Sequence, residues 1–420
     1  MNRPHPTRRL IAGTAGLSAV LVLAGCSAPG ESTPTGGTTA SFSLMYSVAN
    51  TAESPYAVMA ETYMTENPGV SIELNAQPFD RYGETLRTQL QGGNASDVVQ
   101  TTPGRGQPQS AVALGEAGLL LPLGESTDPG DALYGVDGQL YGQPVDLSAT
   151  GMLYAASTAD KHGLAAPSDA DELIAGCAAA SASGGSFFAL AGAVPSNTGL
   201  MALSISATRV YADDPDWDAQ RAAGDVTFAE TPGWADTLQQ VLDLNAAGCF
   251  QPGAEGGGFD AITNGLAQGT SVAAFIPGSN DLAASMPDAQ LQVRAFPPAA
   301  GEKEFLFVSP ISTLSITAKT DQPEAAKAFL AWLAEPEQSQ RFAELAGTLP
   351  ASGVQGVDLS GTMYEPIEGL LNDGDYIALP RASWPNAQVY EALSQGTQGL
   401  LTGQRTVDDV LKALDEAWDQ

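Results

Sequence analysis

Residues 136–145, with the sequence V-D-G-Q-L-Y-G-Q-P-V, contain the bend around which we organise the rest of this chain. Asp137 and Gly138 both tolerate positive φ, as the two central residues of a type I′ turn must, so they predict a tight β-hairpin. Gly142 and Pro144 then interrupt the strand that leaves this turn, because neither residue supports a regular interior strand. The segment therefore predicts a hairpin followed by a bend.

The 420 residues are too many for one ordinary core, so we expect about two domains. Before the bend, strand-like and helix-like patterns alternate, and this alternation predicts a parallel sheet covered by helices. The predicted elements are a strand at 42–46, a helix at 52–66, a strand at 70–74, a helix at 81–91 and a strand at 97–100.

After the bend, the extended runs are separated by longer helical patterns. Ser168 is the predicted N-cap of a helix, and residues 198–211 form another predicted helix. We expect the last extended run to return the chain to the first sheet. The extended runs are 151–154, 186–190, 269–275, 292–296 and 305–315.

Five motifs occur in an order that resembles the family 1 extracellular solute-binding proteins, the receptors of ABC importers. They are D-G-x-x-Y-G-x-P-V at 137–145, E-N-P-G-V-x-I-E at 66–73, A-K-A-F-L-A-W-L at 326–333, G-T-L-P-A at 347–351 and a terminal helix at 406–414. The resemblance extends from Ser41 to the C-terminus and is closest to the sugar-binding, maltose-binding-protein-like group.

This resemblance implies an α/β, two-lobe, periplasmic-binding-protein-like fold of type II, with discontinuous lobes joined by a hinge. Lobe 1 is expected at 41–147 and 311–355, and lobe 2 at 148–310 and 356–420. The lobes of such receptors close on a ligand by hinge motion.

The N-terminus predicts a lipoprotein signal peptide at 1–25. Arg8 and Arg9 form its basic region, and residues 10–24 are apolar but too short to span a bilayer comfortably. The sequence L-A-G-C that ends at Cys26 resembles a lipobox, which implies lipidation (palmitate) of that cysteine. A plain signal peptide with a chance cysteine is the alternative, and both general secretory and twin-arginine export are open.

Residues 26–40 are rich in Gly, Pro, Ser and Thr and have almost nothing to bury, so they predict a flexible tether. We therefore expect the protein on the extracellular face of the cell membrane, held there through the lipid anchor only.

The other two cysteines, Cys177 and Cys249, form an even pair in an exported chain, which predicts a disulfide. Two buried free thiols are the alternative.

The formal net charge of −31 disfavours nucleic-acid binding, because so acidic a surface repels phosphate backbones. Beyond the signal peptide the only histidine is His162, so histidine metal sites and Ser-His-Asp chemistry are not expected.

We predict no catalytic residues, no metal and no cofactor, hence no enzyme. A carbohydrate-active hydrolase using paired carboxylates is the alternative, although nothing marks two of the 48 acidic residues. A purely structural surface lipoprotein is a third hypothesis.

Ligands of open α/β lobes bind outside the carboxyl ends of strands. Sugars stack their C–H faces on aromatic rings and form hydrogen bonds with polar side chains. Polar and aromatic residues at predicted strand ends are therefore the candidate ligand-binding residues. For Trp384 the resemblance to a late tryptophan of the family adds support, whereas Asn280 departs from the family pattern, which often has tryptophan there. The candidates are Tyr46, Ser47, Asn50, Phe79, Arg81, Thr101, Tyr154, Ser279, Asn280 and Trp384.

The resemblance implies a monomeric receptor that captures a small molecule, a sugar or oligosaccharide, and delivers it to the permease subunits of an ABC transporter. Polyamine, peptide and metal-chelate ligands are open alternatives.

Overall fold

The structure is a computed structural model, and it describes residues 40–48, 54–104, 109–125 and 133–420. The predicted signal peptide, the lipidation site Cys26, the tether up to residue 39 and the candidate Asn50 lie outside the described residues. In the described part of the chain, no helix is both long and apolar enough to cross a membrane.

Sixteen strands and fifteen α-helices are assigned in the described residues. The strands are β1 Ala40–Val48, β2 Val70–Pro78, β3 Val98–Thr101, β4 Gly124–Glu125, β5 Gly135–Val136, β6 Gln139–Leu140, β7 Gln143–Pro144, β8 Asp146–Thr150, β9 Met152–Ala155, β10 Ser186–Ala189, β11 Ser271–Ala274, β12 Leu291–Arg294, β13 Leu306–Pro310, β14 Thr313–Ile316, β15 Leu349–Pro350 and β16 Tyr376–Ile377. The helices are α1 Pro55–Glu66, α2 Tyr82–Gly92, α3 Ala111–Glu116, α4 Ala156–Lys161, α5 Ala170–Ala182, α6 Pro195–Ser206, α7 Trp217–Ala223, α8 Pro232–Ala246, α9 Phe259–Ala267, α10 Asn280–Ser285, α11 Pro323–Leu333, α12 Pro336–Ala346, α13 Glu368–Asp373, α14 Ala387–Leu401 and α15 Val407–Trp418.

The first sheet has the strand order β2-β1-β3-β14-β7, in which β1, β2 and β3 are parallel. Its apolar strand residues Phe42 and Leu44 are buried against Met59 of α1 and Phe329 of α11. The ring centroids of Phe42 and Phe329 are 5.9 Å apart. The predicted parallel, helix-covered arrangement is thus confirmed for β1, β2 and β3. The whole sheet is mixed, because β14 pairs antiparallel with both β3 and β7.

The second sheet has the order β10-β11-β9-β12 and lies beyond the bend in sequence. The disulfide Cys177–Cys249 joins α5 to the loop three residues after the end of α8, and both cysteines are buried in this core. The prediction of a disulfide is confirmed in the structure.

A third sheet, with the order β15-β8-β13-β16, lies between these two in the path of the chain. The chain leaves the first sheet at β7, passes through β8 and enters the second sheet at β9. It returns from β12 through β13 to β14, which pairs with β3 of the first sheet, as expected. We call β15-β8-β13-β16 the crossing sheet. This double passage produces the α/β, two-lobe fold that the sequence predicts.

The hairpin at residues 136–139 forms as predicted. Asp137 has φ 52° and Gly138 has φ 74°, and the turn joins β5 to β6 in antiparallel register. The left-handed conformation at both positions explains why this dipeptide was an informative signal.

Two helices of the structure differ in detail from their sequence predictions. The helix after Pro167 is capped by Asp169, whose Oδ1 accepts the N–H of Glu172 at 2.9 Å, so the prediction of Ser168 as N-cap was wrong. Ser168 instead donates its backbone N–H and its hydroxyl to the Glu172 carboxylate. The helix predicted at 198–211 ends as α-helix at Ser206 and continues as a five-residue π-helical segment to Tyr211.

Gly151 lies between β8 and β9, where the chain enters the second sheet, and a Cβ atom there would collide with the carbonyl oxygen of Arg294. Gly151→Ala is therefore expected to lower the free energy of unfolding by about 1–3 kcal/mol, measured by urea denaturation. Gly369→Ala is the matched control, because Gly369 lies in α13 with open space around its Cα. Equal stability of the two variants would contradict this account of the crossing.

Candidate functional site

A cavity of about 570 Å³ opens at the carboxyl ends of β1, β2 and β3. The crossing sheet forms another part of its wall, and Pro277, which follows β11 of the second sheet, closes it from that side. We call this space the cleft cavity. The residues that line it include Ser47, Phe79, Gln100, Thr101, Thr102, Ser148, Thr150, Pro277, Ser309, Ile311, Ser312, Leu379 and Arg381.

Two large apolar side chains are exposed in the wall of the cleft cavity. Phe79 is 70% exposed and Ile311 is 38% exposed, and only Phe259 and Leu345 join them as exposed large hydrophobic residues in the described part of the chain. Phe79 lies in a short 3₁₀ turn, Phe79–Arg81, directly after β2. An exposed aromatic ring over a cavity offers an apolar face to a ligand with a hydrophobic side.

The polar wall of the cleft cavity is held by a hydrogen-bond network. Ser47 donates its N–H and its hydroxyl to Gln100 Oε1 at 2.8 and 2.9 Å, and Gln100 Nε2 donates to Ser312 Oγ at 3.2 Å. The buried Tyr82 hydroxyl donates to the Gln100 carbonyl oxygen at 2.6 Å. These bonds connect β1, β3 and the start of β14, so the amide and hydroxyl groups that face the ligand space are fixed in advance.

A buried carboxylate lies beneath this wall. Asp146, the first residue of β8, accepts the backbone N–H of Ser312 at 3.0 Å and a backbone hydrogen bond from Ile311. Burial raises the pKa of the Asp146 carboxyl to about 7, and these two hydrogen bonds act in the opposite direction. The carboxylate therefore holds the bend between β13 and β14, where the chain leaves the crossing sheet.

The first sheet brings three predicted site residues to the cleft cavity, namely Ser47, Phe79 and Thr101. Thr101 is fully buried, and its Oγ1 hydrogen-bonds Thr313 Oγ1 at 2.6 Å and Ser315 Oγ at 2.7 Å, so it stabilises the wall from behind. Arg81 is exposed in the same turn as Phe79.

Tyr46 is placed in the core rather than in the cleft cavity. It is 5% exposed and stacks on Tyr56, with ring centroids 5.6 Å apart. Burial, and then the nearby Glu61 carboxylate, raise the pKa of the Tyr46 hydroxyl.

The predicted site residues of the second sheet do not line the cleft cavity. Tyr154 is buried beneath the Arg294 guanidinium, whose Cζ lies 5.3 Å from the ring centroid. Ser279 caps α10, and its Oγ accepts the N–H of Leu282 at 3.2 Å. Asn280 Nδ2 donates to the carbonyl oxygens of Glu344 and Leu345 at the end of α12, at 2.9 and 3.1 Å. Asn280 lines a different cavity, of about 580 Å³.

Trp384 is 5% exposed and packs in an aromatic cluster. We define this aromatic cluster as Trp217, Phe228, Trp234, Trp384 and Trp418. Trp217 and Trp234 are both buried.

In the described residues, no group of three or more His, Cys, Asp or Glu side chains could hold a metal ion. The exposed Phe79 ring and the hydroxyl-rich wall make the cleft cavity the candidate ligand-binding site.

The family comparison decides the identity of this scaffold. Residues 48–340 match the family described as bacterial extracellular solute-binding protein. The chain belongs to this family. The predicted family resemblance is thereby confirmed. The match includes the first sheet apart from most of β1, the bend and the whole second sheet.

Solved structures with the same fold cover almost the full length of this solute-binding protein. A protein from work on xylan utilization by Caldanaerobius polysaccharolyticus is 18% identical, covers 90% of this chain and 99% of its own, and has a TM-score of 0.67. A chitin oligosaccharide binding protein is 18% identical, with 90% and 98% coverage and a TM-score of 0.67. RafE of Streptococcus pneumoniae in complex with raffinose is 19% identical, with 90% and 99% coverage and a TM-score of 0.63. No curated protein sequence matches this solute-binding protein significantly.

Sequence reasoning missed the residues that the crossing sheet and the segment before Trp384 contribute to the cleft cavity of this solute-binding protein. Ser148 and Thr150 alternate along β8, and this alternation was a signal that could have found them. Leu379 and Arg381 carried no such signal, because the irregular segment that holds them has no periodicity.

Proposed function

We propose that this solute-binding protein binds a sugar or oligosaccharide in the cleft cavity and delivers it to the permease subunits of an ABC importer. The observation that carries the proposal is the 70% exposed Phe79 ring beside a wall of hydroxyl and amide groups. A sugar ring has an apolar C–H face and a rim of hydroxyl groups, so it complements both surfaces. The raffinose-bound RafE and the chitin oligosaccharide binding protein share the fold and support this ligand class.

The proposal includes the lobes and their anchoring. Lobe 1 comprises residues 41–147 and 311–355, and lobe 2 comprises 148–310 and 356–420. The lobes close on the sugar about the crossing sheet, and closure reports occupancy to the transporter. The protein acts as a monomer, without catalysis, on the extracellular face of the cell membrane, held by a lipid on Cys26.

A thermal-shift screen of the protein against raffinose, chitin oligosaccharides and xylan oligosaccharides tests the sugar proposal. A ligand at a hundred times its dissociation constant adds about 2.7 kcal/mol of stability, which a melting curve resolves. We expect a shift with one class of sugar, and we expect that sugar to be recovered intact. Cleaved sugar would favour a hydrolase, and a flat screen would contradict the sugar assignment.

Phe79→Ala is expected to raise the dissociation constant of the sugar that shifts wild type by about ten- to a hundredfold, because the bound sugar loses its apolar contact. The free energy of unfolding should change by less than about 0.5 kcal/mol, since the ring is mostly exposed. Phe259→Ala is the matched control, because Phe259 is 51% exposed on α9 and outside the cleft cavity. Equal affinity of the two variants would contradict the assigned role of Phe79.

A further inference from the structure

Two residues of the cleft cavity, Leu379 and Arg381, lie on a segment that is irregular apart from the 3₁₀ turn Pro380–Ala382. At its beginning, the Leu379 N–H donates to Ser309 Oγ of β13 at 2.6 Å. The Arg381 guanidinium lies over the Tyr390 ring, with Cζ 4.9 Å from the centroid. Such a segment needs a further anchor if Arg381 is to keep its position beside the ligand space.

The anchor at the other end of this segment is the carboxylate of Asp218. The Ser383 hydroxyl lies 3.1 Å from Asp218 Oδ2 and 2.9 Å from the Pro380 carbonyl oxygen, so these two acceptors share its one proton. Trp384 Nε1 donates to Asp218 Oδ1 at 3.3 Å. Asp218 lies in the first turn of α7, about 165 residues earlier in the chain, so the contact joins two distant segments. The two donors lie two and three residues after Arg381, the last residue of this segment that lines the cleft cavity.

Asp218 is itself fixed by a third donor. The hydroxyl of Tyr211, a fully buried residue, donates to Asp218 Oδ1 at 2.7 Å. Tyr211 ends the π-helical segment, and π-helical turns are frequent at functional sites because they redirect side chains. Burial raises the pKa of the Asp218 carboxyl to about 6, while the hydrogen bonds from Tyr211, Trp384 and Ser383 act in the opposite direction. A half-buried carboxylate with three polar groups of two separate segments aimed at it is a specific structural feature.

We propose that Asp218 is a positioning residue of the binding site, which holds Ser383 and Trp384 so that Arg381 stands in the wall of the cleft cavity and contacts the bound sugar. The inference rests on the proposed function for the identity of the ligand. Asp218 does not touch the ligand; it acts through Arg381. Arg381 is suited to that contact because its planar guanidinium can donate several hydrogen bonds to hydroxyl or carboxylate oxygens.

The test compares Asp218→Ala and Asp218→Asn with Asp97→Ala in the full-length protein. Asp97 is the matched control, because its carboxylate also accepts three hydrogen bonds, two from Ser43 and one from Thr320, but at the opposite ends of the first-sheet strands. Amide hydrogen exchange across residues 379–386 is measured first, without any sugar. We expect faster exchange of this segment in Asp218→Ala and no change there in Asp97→Ala.

Affinity is then measured for the sugar that shifts the wild-type protein. Asp218→Ala should raise the dissociation constant about tenfold, the effect of losing one charge-assisted contact. Asp218→Asn should largely restore affinity, because the amide oxygen can accept from Tyr211 and Trp384 and the amide nitrogen can donate to the Ser383 hydroxyl. Arg381→Ala should weaken binding without changing the exchange of the segment. In the Arg381→Ala background, Asp218→Ala should add little further loss, since the two residues act as one unit.

Unchanged exchange of residues 379–386 in Asp218→Ala would overturn the proposal, as would additive losses in the double variant. If Asp218→Ala does not fold, Ser383→Ala provides the same comparison with one hydroxyl removed. If no sugar binds the wild-type protein, the proposed function fails, and the exchange comparison still decides whether Asp218 positions the segment.

Discussion

Replacing Cys177 and Cys249 together by alanine is expected to lower the free energy of unfolding by about 4 kcal/mol. The disulfide closes a loop with a sequence separation of 72 residues, and the chain-entropy account of cross-linking gives a loss of this size. Both residues are fully buried in the core of the second sheet, so the unfolded chain gains freedom while the core loses only two small side chains. Guanidinium denaturation of the oxidised wild type and the double variant measures the difference.

Wild-type protein denatured in the presence of a reductant is the control for the cysteine prediction, because it loses the cross-link and keeps both side chains. The reduced wild type and the double variant should show similar losses in the free energy of unfolding, relative to the oxidised wild type. A loss below about 1 kcal/mol in both would contradict a stabilising disulfide in this core.

The stability of this solute-binding protein is expected to fall as the pH rises from about 4 to about 8. The pKa of the buried Asp146 is raised by burial from 3.8 to about 7 in the folded chain, so the folded state binds its proton more tightly than the unfolded state does. The stabilisation that this proton provides is complete below pH 3.8 and is lost as the pH passes through 7. The loss amounts to as much as about 4 kcal/mol for a shift of this size. Asp218, with its pKa raised by burial to about 6, acts in the same direction.

Urea denaturation at pH 5 and pH 8 measures this dependence in wild type and in Asp146→Asn. The amide keeps an oxygen for the N–H groups of Ile311 and Ser312 but cannot ionise, so the variant should be more stable than wild type at pH 8 and similar at pH 5. Asp358→Asn is the control, because Asp358 is exposed and hydrogen-bonded to Ser360, and it should leave the slope nearly unchanged. A wild type that is equally stable at both pH values, or an Asp146→Asn with the wild-type slope, would contradict this account of the crossing sheet.

The parts of the fold that local chemistry determines could be predicted from the sequence. The Asp137-Gly138 turn forms because both residues adopt positive φ, a property of the dipeptide itself. The strands β1, β2 and β3 were predictable for a similar reason, since helix-length segments that end at Asn67-Pro68-Gly69 and at Gly92-Gly93 separate their short apolar runs. Residues that end these strands, such as Ser47 and Phe79, accordingly reach the cleft cavity as the strand-end rule predicts.

The remaining part of the site depends on contacts between distant segments, which no local pattern records. Trp384 stands among the predicted binding residues, yet its ring packs with Trp234 and Phe228, which arrive from elsewhere in the sequence. Its neighbour Arg381 reaches the cleft cavity instead, because Asp218 and Ser309 fix the segment from two sides. Asn280 similarly bonds the end of α12, a partner that follows it by more than 60 residues.

Isothermal titration calorimetry of the protein with the sugars of the screen tests the central claim most directly. We expect saturable heat with one class of sugar and one binding site per chain, and we expect to recover the sugar chemically unchanged from the calorimeter cell. Phe79→Ala should raise the dissociation constant measured in this titration, and Phe259→Ala should leave it unchanged. No saturable heat with any of the sugars, or cleavage of the sugar during the titration, would contradict the claim that this solute-binding protein is a sugar receptor.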